Sequence, residues 1–150
     1  MTLGNGKDTV HLGNGANTVT VGNGNDHIKV GNGNNALVEG NGNDEIDAGN
    51  GNNLIVASLG RYAVDVGKGS NILIDGSVQL TQSGDSLRQV LDDWIKYGAQ
   101  AANVASIRSR LSVTYNTHYA NQLHAGSGLD WFWATDTQDH LNNKKTDLRN

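Results

Sequence analysis

Asp8, Asp26 and Asp44 recur at intervals of eighteen residues, each closing a turn of the form G-N-G-x-D. Nine residues after each of them Asn17, Asn35 and Asn53 close turns of the same form, so aspartate and asparagine alternate every nine residues. Evenly spaced carboxylates on glycine-rich turns are hard oxygen donors. Calcium takes about six to eight such oxygens, with carboxylates balancing its charge and backbone carbonyls filling the remainder. Other chemistry finds little support. Gly126-Ser127-Gly128 lacks the strand, turn and helix of a nucleophile elbow. His11, His27, His118, His124 and His140 show no tight ligand spacing and read as surface or packing residues. The G-N-G-x-D turns lack the Lys-Ser/Thr and following helix of a phosphate loop. No catalytic or cofactor-binding residue is identified, and the chain is read as not an enzyme.

The elements that must hold these turns are written in the same period. From Leu3 to Ile74 a nine-residue unit, x-G-N-G-x-(D/N)-x-(apolar)-x, is repeated eight times without insertion, and only Ala57–Asp65 is degraded. A unit this short cannot bury its own core and must stack on its neighbours, as in a solenoid. Its first six residues suit a tight turn, and its last three suit a short strand with one inward side chain.

This pattern resembles the repeats-in-toxin family, the hemolysin-type calcium-binding nonapeptide repeat. The family usually starts its unit with two glycines, whereas here the first position carries Leu3, Leu12, Val21, Val30, Glu39, Ala48, Ala57 and Val66. In that respect the chain is nearer the turns of calcium-dependent bacterial antifreeze domains of the same superfamily. The resemblance implies a mainly β fold, a parallel β-roll (β-solenoid) in which two nonapeptides make one coil. Aspartates then fall on one edge of the roll and asparagines on the other. It further implies that calcium lies between successive coils, held by Asp8, Asp26 and Asp44 with the turn glycines Gly4, Gly6, Gly22, Gly24, Gly40 and Gly42. The gap from Asp44 to Tyr62 lacks one carboxylate. On the opposite edge an asparagine ladder needs no ion.

Val10, Val19, Ile28, Leu37, Ile46, Ile55, Val64 and Leu73, at the eighth position, form the expected core. Their outward neighbours turn apolar along the even units, from Thr18 and Thr20 to Ile72 and Ile74, a face that needs a cover. The cover expected is an insertion. Ser83-Gly84-Asp85-Ser86 supplies an N-cap; Leu87, Val90, Leu91, Trp94 and Ile95 mark a helix over 85–97; a second runs from about Ala99 to Leu111. The motif returns at Ala125–Trp133, where Asp130 is a further candidate ligand and the aromatic run packs on the insertion. The expected organisation is a calcium-binding β-roll over 1–80, a helical lid over 81–124, and a terminal repeat-like turn with a polar, fraying tail over 125–150. The helix followed by G-x-G-x-D-W-F resembles the C-terminal end of large secreted bacterial repeat proteins.

A net charge of -4 with 17% charged residues gives no electrostatic case for nucleic acid. No apolar run approaches a membrane span, and M-T-L-G-N-G has neither the charged nor the apolar region of a cleaved signal peptide. With no cysteine, calcium is the available staple for a secreted fold. The resemblance implies export by a type I system. The expected function is a secreted structural or interaction module, self-assembling as a homo-oligomer through an uncapped N-terminal coil. The alternatives are an ice-binding module built on the outward asparagines, or the C-terminal export module of a larger secreted enzyme or adhesin.

Overall fold

The computed structural model describes residues 1–134, 139–142 and 147–149. Two parallel six-stranded sheets face one another across the core. In stacking order the first holds β1 (Thr9–Leu12), β3 (His27–Val30), β5 (Asn43–Ala48), β7 (Arg61–Val66), β11 (Gln122–His124) and β13 (His140–Leu141). The second holds β2 (Thr18–Thr20), β4 (Ala36–Val38), β6 (Leu54–Val56), β8 (Ile72–Ile74), β12 (Trp131–Trp133) and β14 (Leu148–Arg149). Consecutive strands alternate between sheets, so two units complete one coil, and the mainly β, parallel β-roll architecture follows.

Register keeps like residues stacked. Val10 pairs with Ile28, Ile28 with Ile46 and Ile46 with Val64 in one sheet; Val19, Leu37, Ile55 and Leu73 do the same in the other. These eighth-position side chains are buried and make the core between the sheets. Each contributes roughly 1.5–3 kcal/mol by leaving water. Strands this short hold only because every coil lends its neighbour an edge. The turns stack as tightly: a Cβ on Gly42 would lie 1.4 Å from the Gly24 carbonyl oxygen, and one on Gly24 would lie 1.6 Å from that of Gly6.

Partners in the stack are 18 residues apart as far as Tyr62 and Asn71, and 59 apart across the excursion that follows, as between Tyr62 and Asn121 or Asn71 and Asp130. The chain leaves the roll at Asp75 and returns at Asn116, whose N–H donates to the Asp75 carbonyl at 3.2 Å. An antiparallel pair, β9 (Gly76–Leu80) and β10 (Leu111–Tyr115), forms the stem of the excursion, which carries α1 (Leu87–Tyr97) and α2 (Ala101–Arg110). Ser86 caps α1 by accepting the Gln89 N–H, and Gly98 at φ 54° ends it by donating to the Trp94 carbonyl. Val90, Leu91 and Trp94 of α1 and Ile107 of α2 cover Leu54, Val56, Ile72 and Ile74 of the second sheet. Trp94 lies 5.4 Å from Trp131, itself 4.9 Å from Trp133, while Phe132 between them points into the roll. Arg110 donates to both Asp85 and Asp93, fastening the lid to itself, and Arg88 donates to the Asn34 carbonyl, fastening it to the roll.

Several local expectations change. Ile95 is 38% exposed, because the buried stripe of α1 is centred on Val90, Leu91 and Trp94. Leu111 opens β10 and does not belong to α2. The repeat resumes at Asn116–His124, before the Ala125 copy, because β11 stacks on β7 in the register of the earlier coils. Beyond Trp133 the roll continues: His140–Leu141 pairs with β11 and Leu148–Arg149 with β12, while residues 135–138, 143–146 and 150 of the tail lie outside the described residues. At the other end, Thr20 donates to the Met1 carbonyl and Leu3 donates to the Thr20 carbonyl. Met1–Leu3 thus covers the edge of β2, and β1 is the end strand of the other sheet.

Candidate metal centre

The two edges of the roll share one device. Asp26 Oδ1 accepts the Asp8 N–H at 2.8 Å and Asp44 Oδ1 accepts the Asp26 N–H at 2.9 Å. Asn35, Asn53 and Asn71 accept from Asn17, Asn35 and Asn53 in the same way, at 2.9–3.3 Å. One side-chain oxygen per turn therefore reaches back to the preceding coil on both edges. The third position reaches the other way, for Asn5 Oδ1 accepts the Asn23 N–H and Asn23 Oδ1 accepts the Asn41 N–H. Asn14 and Asn32 do likewise on the opposite edge. These amide oxygens each accept a backbone N–H from the following coil.

The edges differ in the second polar atom of the sixth side chain. Asn35 Nδ2 donates to Asn53 Oδ1 at 2.8 Å and lies within 3.3 Å of the Gly31 and Gly33 carbonyls, and Asn53 Nδ2 repeats the arrangement. On the aspartate edge the equivalent atoms are Asp26 Oδ2 and Asp44 Oδ2, buried and without a hydrogen-bond partner. Both residues are nearly sealed from water, at 3% and 5% exposure. A carboxylate oxygen held dry with nothing to bind costs several kcal/mol. The amide edge is closed by its own N–H groups; the carboxylate edge leaves one dry, unpartnered oxygen at Asp26 and another at Asp44, a need that a bound cation would meet.

Glu39 sharpens that need. It is 1% exposed, and neither Oε1 nor Oε2 has a partner. Burial first, then the charges of Asp44 and Asp26, push its carboxyl up to about 8. Burial also raises Asp44 to about 6, against the lowering effect of the hydrogen bond from the Asp26 backbone. Glu39 is not among the residues singled out from the sequence. The signal was present, since it is the one charged side chain among the eight first positions.

At the next coil the carboxylate column stops. Tyr62 takes the sixth position; its N–H donates to Asn121 Oδ1 at 3.0 Å and its hydroxyl donates to Asp75. Asn121 Nδ2 also donates to Asp75, and Asn116 Nδ2 donates to the Gly60 carbonyl at 2.6 Å. Burial, then the hydrogen bond and charge of Asp139, hold the Asp75 carboxyl well above its usual range, opposed by Asn121 and Asn116. This end is closed by neutral donors.

The structure thus brings Asp8, Asp26 and Asp44 into one column and places Asp130 on the other edge, where its Oδ1 accepts from Asn71. Of the turn glycines, Gly6 has φ 132°, whereas Gly24 and Gly42 are not left-handed. The Gly4 and Gly42 carbonyls accept the Gly22 and Arg61 N–H groups, each retaining one lone pair. Among the described residues no three Asp, Glu or His side chains alone form a metal-holding group, so an ion here would require backbone carbonyls as well. His27 and His124 lie against Glu45 and Asp65, each pair at 3.1 Å. The all-oxygen donor set and its unpartnered carboxylate oxygens fit a hard divalent cation.

The family model described as the RTX calcium-binding nonapeptide repeat matches residues 2–37 and 40–62, in four copies. No curated protein and no solved structure matched the chain.

Proposed function

We propose that this chain, whose residues 2–62 are RTX calcium-binding nonapeptide repeats, is a calcium-stabilised β-roll serving as a structural or interaction module outside the cell. Such repeats are typically structural and extracellular, and no described helix is long and apolar enough to cross a membrane. Asp8, Asp26 and Asp44 hold the ions, with carbonyls from the turns containing Gly4, Gly6, Gly22, Gly24, Gly40 and Gly42. Bound calcium neutralises the carboxylates and cross-links successive coils. One observation carries this reading: Asp26 Oδ2 and Asp44 Oδ2 are buried and unpartnered where the asparagine edge has donated hydrogen bonds. Circular dichroism and melting with and without chelator test it. Calcium is expected to raise the melting temperature; identical spectra and melting in both buffers would remove the metal from the account.

Self-assembly through the N-terminal coil is the use favoured among those open to such a module. β1 ends its sheet, Thr9 and His11 on it are exposed, and an uncovered strand edge pairs readily with another chain. Light scattering with and without calcium decides this; a strictly monomeric particle at high concentration rejects it. Export by a type I system rests on the family resemblance and is checked by whether the chain, fused to a reporter, leaves cells carrying that machinery.

A further inference from the structure

Six Asn-Gly dipeptides recur in the turns: Asn5-Gly6, Asn14-Gly15, Asn23-Gly24, Asn32-Gly33, Asn41-Gly42 and Asn50-Gly51. This pairing is the one most open to loss of the side-chain amide, because glycine brings no Cβ to shield its own nitrogen from the asparagine Cγ. All six asparagines are exposed, so access to water does not separate them. Bonding does. In five of the six the asparagine Oδ1 accepts a backbone N–H of the next coil at 2.8–2.9 Å. In the same five the glycine N–H donates to a carbonyl of the next coil at 2.7–2.9 Å. Both reacting groups are thereby tied to another turn and must be released before they can meet.

Asn41-Gly42 is the exception. Its partner in the next coil would be Leu59, the third residue of the degraded unit Ala57–Asp65. There Ser58 takes φ 33° and Leu59 is 39% exposed, so that turn does not repeat the one before it in the stack. Among the described residues, neither the Asn41 side-chain amide nor the Gly42 N–H has a hydrogen-bond partner, whereas the Asn41 backbone N–H donates to Asn23 Oδ1 and its carbonyl accepts the Gly24 N–H, both at 2.9 Å. The Gly42 carbonyl accepts the Arg61 N–H at 2.7 Å, which anchors the glycine without engaging its nitrogen.

We propose that Asn41 is a site of spontaneous deamidation in the folded chain, reacting ahead of the other five Asn-Gly pairs. Hydroxide takes the Gly42 N–H proton, and the nitrogen attacks Asn41 Cγ. A C–N bond forms, the bond from Cγ to Nδ2 breaks, and ammonia leaves with a proton from water. Water then opens the cyclic imide at either carbonyl, giving aspartate or isoaspartate. Opening at the α-carbonyl leaves isoaspartate, in which the oxygen that accepts the Gly24 N–H passes out of the main chain onto a free carboxylate. Either product adds one negative charge to the edge that already carries Asp8, Asp26 and Asp44.

Incubation of the whole chain at mildly alkaline pH, in calcium buffer and separately in urea, followed by residue-by-residue mass mapping, tests the assignment. In the folded chain the mass gain of OH over NH2 is expected at Asn41 about tenfold or more faster than at the other five, and in urea the six rates are expected to converge. Asn41→Gln, whose longer side chain cyclises slowly, is expected to remove the fast site without moving the other five. Fragmentation that separates aspartate from isoaspartate is expected to find both at residue 41, the mark of an imide; aspartate alone would mean direct hydrolysis and overturn the mechanism. Equal rates at all six pairs in calcium buffer, or a faster site at any of the five bonded ones, overturns the proposal.

Discussion

Asn71 and Asp130 are 59 residues apart in the chain and adjacent in one ladder: Asn71 Nδ2 donates to Asp130 Oδ1 at 2.8 Å, and the Asn71 N–H donates to the same oxygen at 3.0 Å. The excursion through the lid therefore leaves the amide edge unbroken. Asp130→Ala would strand two buried donors, at about 1–3 kcal/mol, or roughly 3–10 °C in melting temperature. The loss should be equal in calcium and in chelator. A loss confined to calcium buffer would make Asp130 a ligand instead.

Asp26 borders both carboxylate gaps, accepting from Asp8 and donating its own N–H to Asp44. Asp26→Asn replaces the unpartnered Oδ2 by a donor of the kind the other edge uses. In chelator the variant should melt at or above wild type; in calcium it should melt below. Asn17→Ala is the control, lowering stability while leaving calcium affinity unchanged in titration.

Gly42→Ala addresses the stacking of the turns. The added methyl would meet the Gly24 carbonyl oxygen at 1.4 Å, a backbone atom that cannot swing aside. The coils would have to separate, breaking ladder bonds on both sides, so a cost above about 3 kcal/mol is expected. Denaturant unfolding measures it, and a variant as stable as wild type would contradict the observed turn spacing.

Without calcium, stability should fall as pH rises. The Glu39 carboxyl moves from 4.5 to about 8 on folding, and Asp75 is shifted in the same direction from 3.8. Over that interval the folded chain binds more protons than the unfolded one, so the contribution is full below the unfolded values and is lost as pH climbs through the folded ones. Chelated protein should melt higher at pH 5 than at pH 8. Asp75→Asn, which keeps an amide among the same neighbours, should flatten the profile; an unchanged slope in that variant would assign the dependence elsewhere.

The period of nine was enough to read the repeating unit and the inward positions from Val10 to Leu73, while the two sheets and the two edges came from the family resemblance, which implies two units to a coil. Stacking repeats one solution, so each coil confirms the last. The copy at Asn116–His124 escaped because N-T-H-Y-A-N-Q-L-H lacks both turn glycines. Counting back nine from Ala125 would have placed Asn121 and Leu123 at the sixth and eighth positions. The surroundings of Asp75 were not legible, because Asn121, which donates to it beside Tyr62, reaches it only after the lid has folded back. The Trp94–Trp131 contact joins α1 of the excursion to β12, the packing of the aromatic run on the insertion that the sequence leads one to expect.

The asymmetry of the edges sets how this molecule would come apart. Asn17, Asn35, Asn53 and Asn71 bind one side as a spine binds pages, with no dissociable component. The other side is a clasp whose fastener can leave. Emptying it would open the leaves along the line from Asp8 to Asp44 and wet Val10, Ile28 and Ile46, while the spine keeps every leaf in its order. Closing again would require no new search for register, since the entropy of bringing distant residues together has already been lost.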